Sequence, residues 1–444
     1  MSALGERVAM AVRLRRATGA RRPAEPVEAR LAALRRHAAG RSRFYRDLHA
    51  GLADAPLTAL PPVTKETLVE SFDDVVTDDL VRLADLRAFV EANPPGSRYL
   101  GRYRVAASSG SSGRPALFVF DGDEWLDFIA GSAWARSICG PLGGPPGRRL
   151  RSAKIASPSA WHMSLQVGST LRDPRRPTLR LPATLPIEEL VAELERWRPH
   201  VLTAYPSVLR LLAREQEAGH LTIEPRRVFS TAEPLSAATR RAVASAWGSE
   251  PFDQYMTTEA SAVAAECPEH RGLHVRDDAV LVESVDADHR PVPAGMPGAK
   301  VLLTVLGSRT IPLIRYELND SIVLSPEPCP CGRPSPLIAA VHGRERELLR
   351  LPGRDGEVAV HPVAFTSVLD PSPCAGWQVV RRPGGLAVRY TDPAGRVDEV
   401  RLRDDVAGAM ERLGVTGVPV TVERVATLPA PAGGKAARIL DETR

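Results

Sequence analysis

Residues 187–255 read IEELVAELERWRPH-VLTAY-PSVLRLLAREQEAGHLTIEPR-RVFST-AEPLS-AATRRAVASAWGSE-PFDQY, and two hydrophobic periods alternate along them. Ile187, Leu190, Val191, Leu194 and Trp197 recur at helical spacing, and the pattern stops before Pro199. The apolar run Val201 to Tyr205 then has strand length. Val208 to Glu217 is helical again with Gly219 as its stop, and Arg227 to Thr231 is a second strand. Ala237 to Trp247 forms a helix closed by Gly248, and Pro251 to Tyr255 a third strand. A β-α-β-α-β run implies parallel strands joined by right-handed crossovers, whose ligands bind beyond the carboxyl ends of the strands. That rule points at Tyr205, at Thr231-Ala232-Glu233 and at Tyr255-Met256-Thr257-Thr258-Glu259.

Outward from this run the texture changes. The first hundred residues read as helical pieces, Arg30 to His37 and Phe44 to His49, then a turn at Pro61-Pro62 and a helix capped by Thr64. Beyond Leu273 the runs Ala279 to Val285, Ala299 to Leu306 and Ile311 to Leu324 predict a β-rich subdomain. From about Gly343 a small α+β unit is expected: a hairpin from Trp377 to Thr391 around Pro383-Gly384-Gly385, a helix from Asp405 to Leu413 and a strand from Val418 to Val425. The predicted fold class is therefore α/β, α+β overall. It has a large domain over 1–342 with doubly wound parallel sheets and a β-rich part, and a small α+β domain over 343–444.

With 444 residues, 43% of them hydrophobic and 25% charged, the chain has the composition of a globular enzyme and not of a disordered or fibrous protein. The longest apolar candidate for a membrane span, Phe128 to Leu142, is broken by Arg136 and by Gly131 and Gly140, so no membrane partner is expected. Residues 1–16 carry Arg7, Arg13, Arg15 and Arg16 without the apolar core of a signal peptide, so the expected location is cytoplasmic. The first 50 residues hold twelve Arg against four acids, within a net charge of +5 for the chain. Without interleaved aromatics or a nucleic-acid module, that asymmetry reads as a solvated amphipathic face, and no nucleic-acid partner is expected. Lys is scarce: only Lys65, Lys154, Lys300 and Lys435 occur among 58 basic residues.

Two stretches carry candidate chemistry on their own. Ser108-Ser109-Gly110-Ser111-Ser112-Gly113 follows the apparent strand Tyr103 to Ala107. Its glycines let backbone amides turn inward while the hydroxyls add donors, so it can hold a polyphosphate or be a flexible turn. It lacks the Lys of a Gly-Lys-Ser/Thr phosphate loop. Five cysteines do not make a disulfide scaffold. Cys139 and Cys374 stand alone as small buried hydrophobes, whereas Cys329 and Cys331 share the Pro-Cys-Pro-Cys-Gly stretch and Cys267 sits among His270 and His274.

The order of these pieces matters more than any one of them. Ser108 to Pro115, Tyr255 to Glu259, Arg315-Tyr316 with Asp320, Gly343-Arg344 and Lys435 together resemble the adenylate-forming superfamily of acyl-CoA synthetases and amino-acid adenylation domains. Pro61-Pro62-Val63-Thr64-Lys65, Ala232-Glu233-Pro234, Gly272-Leu273-His274 and Cys331-Gly332-Arg333 resemble its phenylacetate-CoA ligase branch. The resemblance implies ATP and Mg²⁺ as cofactors. The Ser108 to Gly113 loop would cradle the β- and γ-phosphates and Glu259 would hold Mg²⁺. Tyr255 would stack on adenine, with Ala232, Glu233 and Pro234 lining the same slot and Thr258 in the adjoining turn. Asp320 would accept from the ribose hydroxyls beside Arg344. Lys435 would bridge carboxylate and phosphate as the catalytic lysine of a small mobile domain, which presents one face for adenylation and another for acyl transfer.

The same resemblance bears on the remaining candidates. Cys267, His274, Cys329 and Cys331 form a possible Cys₃His structural zinc site, with His270 as the competing nitrogen and reduced, packed thiols as the alternative. Trp161 and His162 lie where the fold places the acid pocket, together with Tyr205; Trp161 is read either as stacking an aromatic acid or as packing. The loop Gly353 to Val358 departs from the CoA-receiving loop of the ligases, and Ala116 stands where many relatives have Lys. The expected activity is ATP-dependent, AMP-forming activation of an aromatic carboxylic acid with CoA as co-substrate. Transfer to an amine, hydroxyl or carrier thiol, activation of another oxyanion, and a non-catalytic nucleotide-binding scaffold are the alternatives. Oligomeric state is not legible.

Overall fold

The structure is a computed structural model describing residues 10–14, 18, 25–108, 116–141, 150–157, 161–170, 177–183, 185–344, 349–354, 356–360, 362–370, 372–428 and 438–443. The chain forms two compact units, one of residues 1–143, 159–173 and 252–340, the other of 144–158, 174–251 and 341–444.

In the second unit, the stretch that predicted the fold forms the elements it implies. Helix α3, Ile187–Trp197, ends at Arg198 in the left-handed region, one residue before Pro199. Strand β5, Val201–Ala204, leads into α4, Pro206–Glu217, where Pro206 fills a first-turn position whose N–H would have no partner. Strand β6 spans Arg227–Thr231, and α5 spans Ala237–Trp247, capped by the Ser236 hydroxyl and closed by Gly248 at φ +69°. β5 pairs in parallel with β6 and with β3, Ser152–Ala156, which in turn pairs in parallel with β4, Thr178–Pro182. Leu190, Leu194, Leu209, Leu212 and Val243 pack beneath β3 and β5.

The C-terminal part of this unit carries β17, Gly376–Arg382, and β18, Gly385–Thr391, joined by the predicted hairpin with Gly384 at φ +95°. Parallel strands β19, Val420–Arg424, and β20, Ile439–Asp441, flank them. Two helices accompany the sheet, α6, Pro362–Leu369, and α7, Glu399–Arg412, the latter a turn and a half longer than the pattern implied.

In the first unit, α1, Val27–Arg41, and a short helix capped by Thr64 precede a hairpin of β1, Arg104–Ala107, and β2, Leu117–Phe120. Helix α2, Gly122–Ser137, follows. The antiparallel strands β7, Phe252–Thr257, β8, Ser261–Glu266, and β9, Leu273–Val275, continue to β14, Leu337–Arg344. The β-rich part contains β10, Val280–Val285, β11, Lys300–Val305, and β12, Tyr316–Leu318, in antiparallel order. The expected strand from Ile311 to Leu324 is instead two short ones, β12 and β13, Asp320–Leu324. The two are separated at Asn319, and residues 311–315 stay outside both: Leu313 N–H meets the Ser308 hydroxyl and Arg315 sits at φ +50°, so β12 begins only at Tyr316. Among the described residues no helix is long and apolar enough to cross a membrane.

Candidate functional site

Strand β7 delivers Tyr255 near its end, at a register shift between Tyr255 and Met256 where it pairs with β8. The ring is largely buried, and its hydroxyl donates to Asp320 Oδ2 at 2.7 Å, the first residue of β13. A neutral donor on a carboxylate is among the stronger hydrogen bonds, so Tyr255 orients Asp320. Between β7 and β8 the turn is tied by the Thr257 hydroxyl, which accepts from Ala260 N at 3.1 Å. Ser261 takes up φ +64° and meets Ser132 on α2 through paired hydroxyls at 3.0 Å. This short, anchored turn presents Thr258 and the half-buried Glu259. The Glu259 charge and burial both raise the Tyr316 phenol well above its ordinary value, burial first.

Ser108 closes the β1–β2 hairpin. Its N–H donates to Ala116 O at 2.9 Å and its hydroxyl accepts from Ala116 N at 3.0 Å, so the ends of the phosphate-loop candidate are pinned together. Ser109, Gly110, Ser111, Ser112, Gly113 and Lys435 lie outside the described residues, as does the side chain of Arg344. Backbone pairing sets Trp161 and His162 beside Ala107, with Ala107 N donating to Trp161 O at 2.8 Å. The Trp161 indole is 7% exposed, donates to Val90 O at 3.0 Å and packs on Phe89 at 5.7 Å between centroids. Its ring is therefore held within the core cluster of this unit. His162 is also buried.

In the second unit, Tyr205 follows β5 and begins α4. Its hydroxyl accepts from Ser157 N at 2.7 Å, and burial pushes its phenol up to about 12. After β6, Ala232 adopts φ +70°, an uncommon conformation for a residue with a Cβ. Glu233 then reaches the first turn of α4, accepting from Ser207 N and Ser207 Oγ, each at 3.1 Å. The positive end of the helix thus holds this carboxylate. Ser207 carries no distinguishing signal in the sequence, where a single serine after Pro206 is ordinary.

The thiol and imidazole candidates converge. Cys267 follows β8, His274 lies in β9, and Cys329 and Cys331 come from the connection between β13 and β14; their four ligand atoms lie within 4.8 Å of one another. Cys267 Sγ is 3.6 Å from Cys329 Sγ, and Cys331 Sγ is 3.3 Å from His274 Nε2. With Zn–S about 2.3 Å and Zn–N about 2.0 Å, neighbouring ligands of a tetrahedral zinc lie roughly 3.5–3.8 Å apart; the donor set fits that ion in chemistry, and its four atoms are clustered near that spacing. His274 is fully buried, and its other ring nitrogen, Nδ1, is 2.9 Å from Ser335 Oγ, the outer hydrogen bond that orients a ligating imidazole. His270 goes elsewhere: its Nδ1 is 3.1 Å from Glu266 Oε2 and its ring packs on Phe252. Gly272 makes the turn possible, because at φ +132° a Cβ there would lie 2.6 Å from Ile338 O.

No family model matches the chain. It is similar to phenylacetate-coenzyme A ligase of Thermus thermophilus, 29% identical in an alignment of 369 residues that covers 76% of this chain and 80% of that protein. Among solved structures it matches 2-hydroxyisobutyryl-CoA ligase in the postadenylation state with its R3-HIB-AMP, at TM-score 0.72 and 20% identity over 94% of this chain and 89% of that one. It also matches an anthranilate CoA ligase in complex with anthranoyl-AMP, at TM-score 0.53 and 18% identity over 75% of this chain and 65% of that one. The fold is that of the adenylate-forming acid–CoA ligases, and the resemblance to their phenylacetate-CoA ligase branch extends over about three quarters of the chain.

Proposed function

We propose that this chain is an ATP-dependent, AMP-forming ligase that activates an aromatic carboxylic acid as its acyl-adenylate and passes the acyl group to CoA. The observation that carries the reading is the Tyr255–Asp320 pair at the end of β7, beside the anchored turn bearing Glu259, in a fold shared over 94% of the chain with an acyl-AMP-holding ligase. The aromatic class is supported by the names of two relatives, a phenylacetate and an anthranilate ligase.

In the first half-reaction a carboxylate oxygen attacks the α-phosphorus of ATP and pyrophosphate leaves, a step governed by positioning and charge neutralisation. Tyr255 stacks on adenine with Ala232, Glu233 and Pro234. Asp320, oriented by Tyr255, accepts the ribose hydroxyls with Arg344 beside it. The loop from Ser108 to Gly113 receives the β- and γ-phosphates, and Lys435 offers its ammonium to carboxylate and phosphate together. Glu259 is the residue suited to Mg²⁺, which would supply positive charge to the phosphate oxygens, and Thr258 in the same turn is assigned to the nucleotide. In the second half-reaction the CoA thiolate attacks the acyl carbonyl and AMP leaves. Tyr205, Trp161 and His162 are the residues assigned to the acid. Cys267, His274, Cys329 and Cys331 hold a structural Zn²⁺. The chain works in the cytoplasm, and its mobile part is 343–444.

A second reading keeps the activation step and changes the acceptor to an amine, a hydroxyl or a carrier thiol. The sequence of Gly353 to Val358, unlike the CoA-receiving loop of the ligases, favours it. Pyrophosphate exchange into ATP across a panel of aromatic, amino-aromatic and aliphatic acids tests activation without assuming an acceptor. Exchange with aromatic acids, followed by CoA thioester formation, is expected. Exchange without thioester selects the second reading, and no exchange with any acid overturns both in favour of a nucleotide-binding scaffold.

A further inference from the structure

Arg438 stands three residues after Lys435 and immediately precedes β20. Its carbonyl accepts from Val379 N at 2.8 Å, the first link between β20 and β17. Its guanidinium lies over the Trp377 ring, 4.8 Å from the centroid, and faces two carboxylates. One is Asp370 Oδ1 at 3.4 Å, the other Glu233 Oε2 at 3.8 Å.

Asp370 follows α6 and is only 4% exposed. It accepts from Trp377 Nε1 at 2.9 Å and from the Ser236 hydroxyl at 2.8 Å, with Thr239 Oγ1 at 3.4 Å. Arg210 of α4, 3% exposed, lies 3.8 Å from it and donates to the carbonyls of Cys374 and Ala375 at 3.1 and 3.2 Å. Burial pushes the Asp370 carboxyl up, but Arg438, Arg210, Trp377 and Ser236 outweigh it and leave it below the ordinary carboxylate value. Two guanidinium groups and two carboxylates thus balance in a nearly dry place. Buried ion clusters contribute little net stability against apolar replacements; their best-attested use is to fix register. Here the groups belong to four stretches: the start of β20, the end of α6, the flank of α4, and the loop after β6 to which the adenine is assigned.

We propose that Arg438 is a positioning residue for the activation step: by bridging Asp370 and Glu233 it registers the start of β20, and the adjoining chain that carries Lys435, on the loop after β6. The inference rests on the reading of the function given above. Three residues of extended chain span at most about 10 Å, so fixing Arg438 limits where Lys435 can reach. Misplacement of a catalytic group by about 1 Å costs on the order of 10²-fold, so the leverage is large.

The test uses the full chain with Arg438→Ala, Arg438→Gln and Arg438→Lys. Arg438→Ala is expected to lower the kcat of acid-dependent pyrophosphate exchange at least about tenfold with little change in the KM for ATP. Acyl transfer to CoA from preformed acyl-adenylate should stay near wild type. Arg438→Lys should recover part of the loss, since an ammonium can meet one carboxylate but not bridge both. Equal loss of both half-reactions in folded protein, or loss of neither, overturns the proposal. Hydrogen exchange without substrate supplies a readout independent of activity. Arg438→Gln should speed exchange both at Val379 and over residues 231–236, and faster exchange at Val379 alone overturns the bridge even if wild-type protein activates no acid. Should Arg438→Ala not fold, the Gln and Lys variants decide by the same criteria.

Discussion

Glu124 accepts four hydrogen bonds while shielded from water, from Asp121 N, Arg309 N, Thr310 N and the Thr310 hydroxyl. With Asp121 it forms the capping box of α2, a D-x-x-E spacing visible in the sequence. Its second set of partners, 185 residues further on, is not visible there, because nothing local to Arg309 and Thr310 marks them as donors to a distant helix start. Burial pushes the Glu124 carboxyl up, the Asp121 charge adds to this, and the Thr310 and Arg309 donors oppose, leaving it at about 7 against an ordinary 4.5. The folded state therefore holds a proton that the unfolded chain has released between those values, so stability falls as pH rises through that window. The loss is up to about 3 kcal/mol, at 1.36 kcal/mol per pH unit. Glu124→Gln cannot ionise but turns an amide toward one of these donors, so it should be the less stable protein at pH 5 and the gap should narrow by pH 8. Denaturation midpoints of both proteins at the two pH values check this; a gap independent of pH means that Glu124 titrates normally.

At the scale of elements, legibility followed punctuation. The helices Ile187–Trp197 and Ala237–Trp247 end where Pro199 and Gly248 end them, and the Pro383-Gly384 hairpin turns where its glycine allows positive φ. The run Ile311 to Leu324 does form strands, but only from Tyr316 onward, because Arg315 takes a positive φ that an Arg does not announce. The cysteine cluster stands between these cases. Its members were legible as residue types, but bringing Cys267 and His274 to Cys329 and Cys331 needs the pairing of β9 with both β8 and β14, which spacing alone does not specify. Zinc at the four ligands should pin the turn after β8 to the β13–β14 connection. Protein purified without chelator should carry about one zinc per chain, and Cys329→Ser should lower both metal content and melting temperature. His270→Ala should retain the metal, since that imidazole is on Glu266 and Phe252. Protein free of zinc whose melting is unchanged by Cys329→Ser would mean that the thiols are only packed.

At the scale of the whole molecule, the candidate site was legible as an order of motifs spread over more than 300 residues, from Ser108 to Lys435. The acid was less legible: Trp161, the aromatic candidate, gives its indole N–H to Val90 and its face to Phe89. Lys435 is where the order of motifs makes its sharpest demand, since only four lysines occur in the chain and one follows Gly433-Gly434 near its end. An ammonium offered to the transferring phosphoryl group acts chiefly in the transition state, so removing it should affect rate more than binding. Lys435→Ala is expected to depress acid-dependent pyrophosphate exchange by roughly 10² or more, the scale of losing one such electrostatic group. Nucleotide binding, measured directly by titration, should change little, since the proposed function assigns those contacts to Tyr255, Asp320 and Arg344. Given preformed acyl-adenylate and CoA, the variant should still complete thioester formation, because that step breaks the acyl–phosphate bond without pyrophosphate. The Arg438 variants should fail in the same half-reaction but for another reason, and hydrogen exchange separates the two: Lys435→Ala should leave protection at Val379 and over 231–236 as in the wild type. Equal loss of both half-reactions in folded Lys435→Ala protein would contradict a lysine dedicated to activation, and loss of neither would make it a residue of the tail.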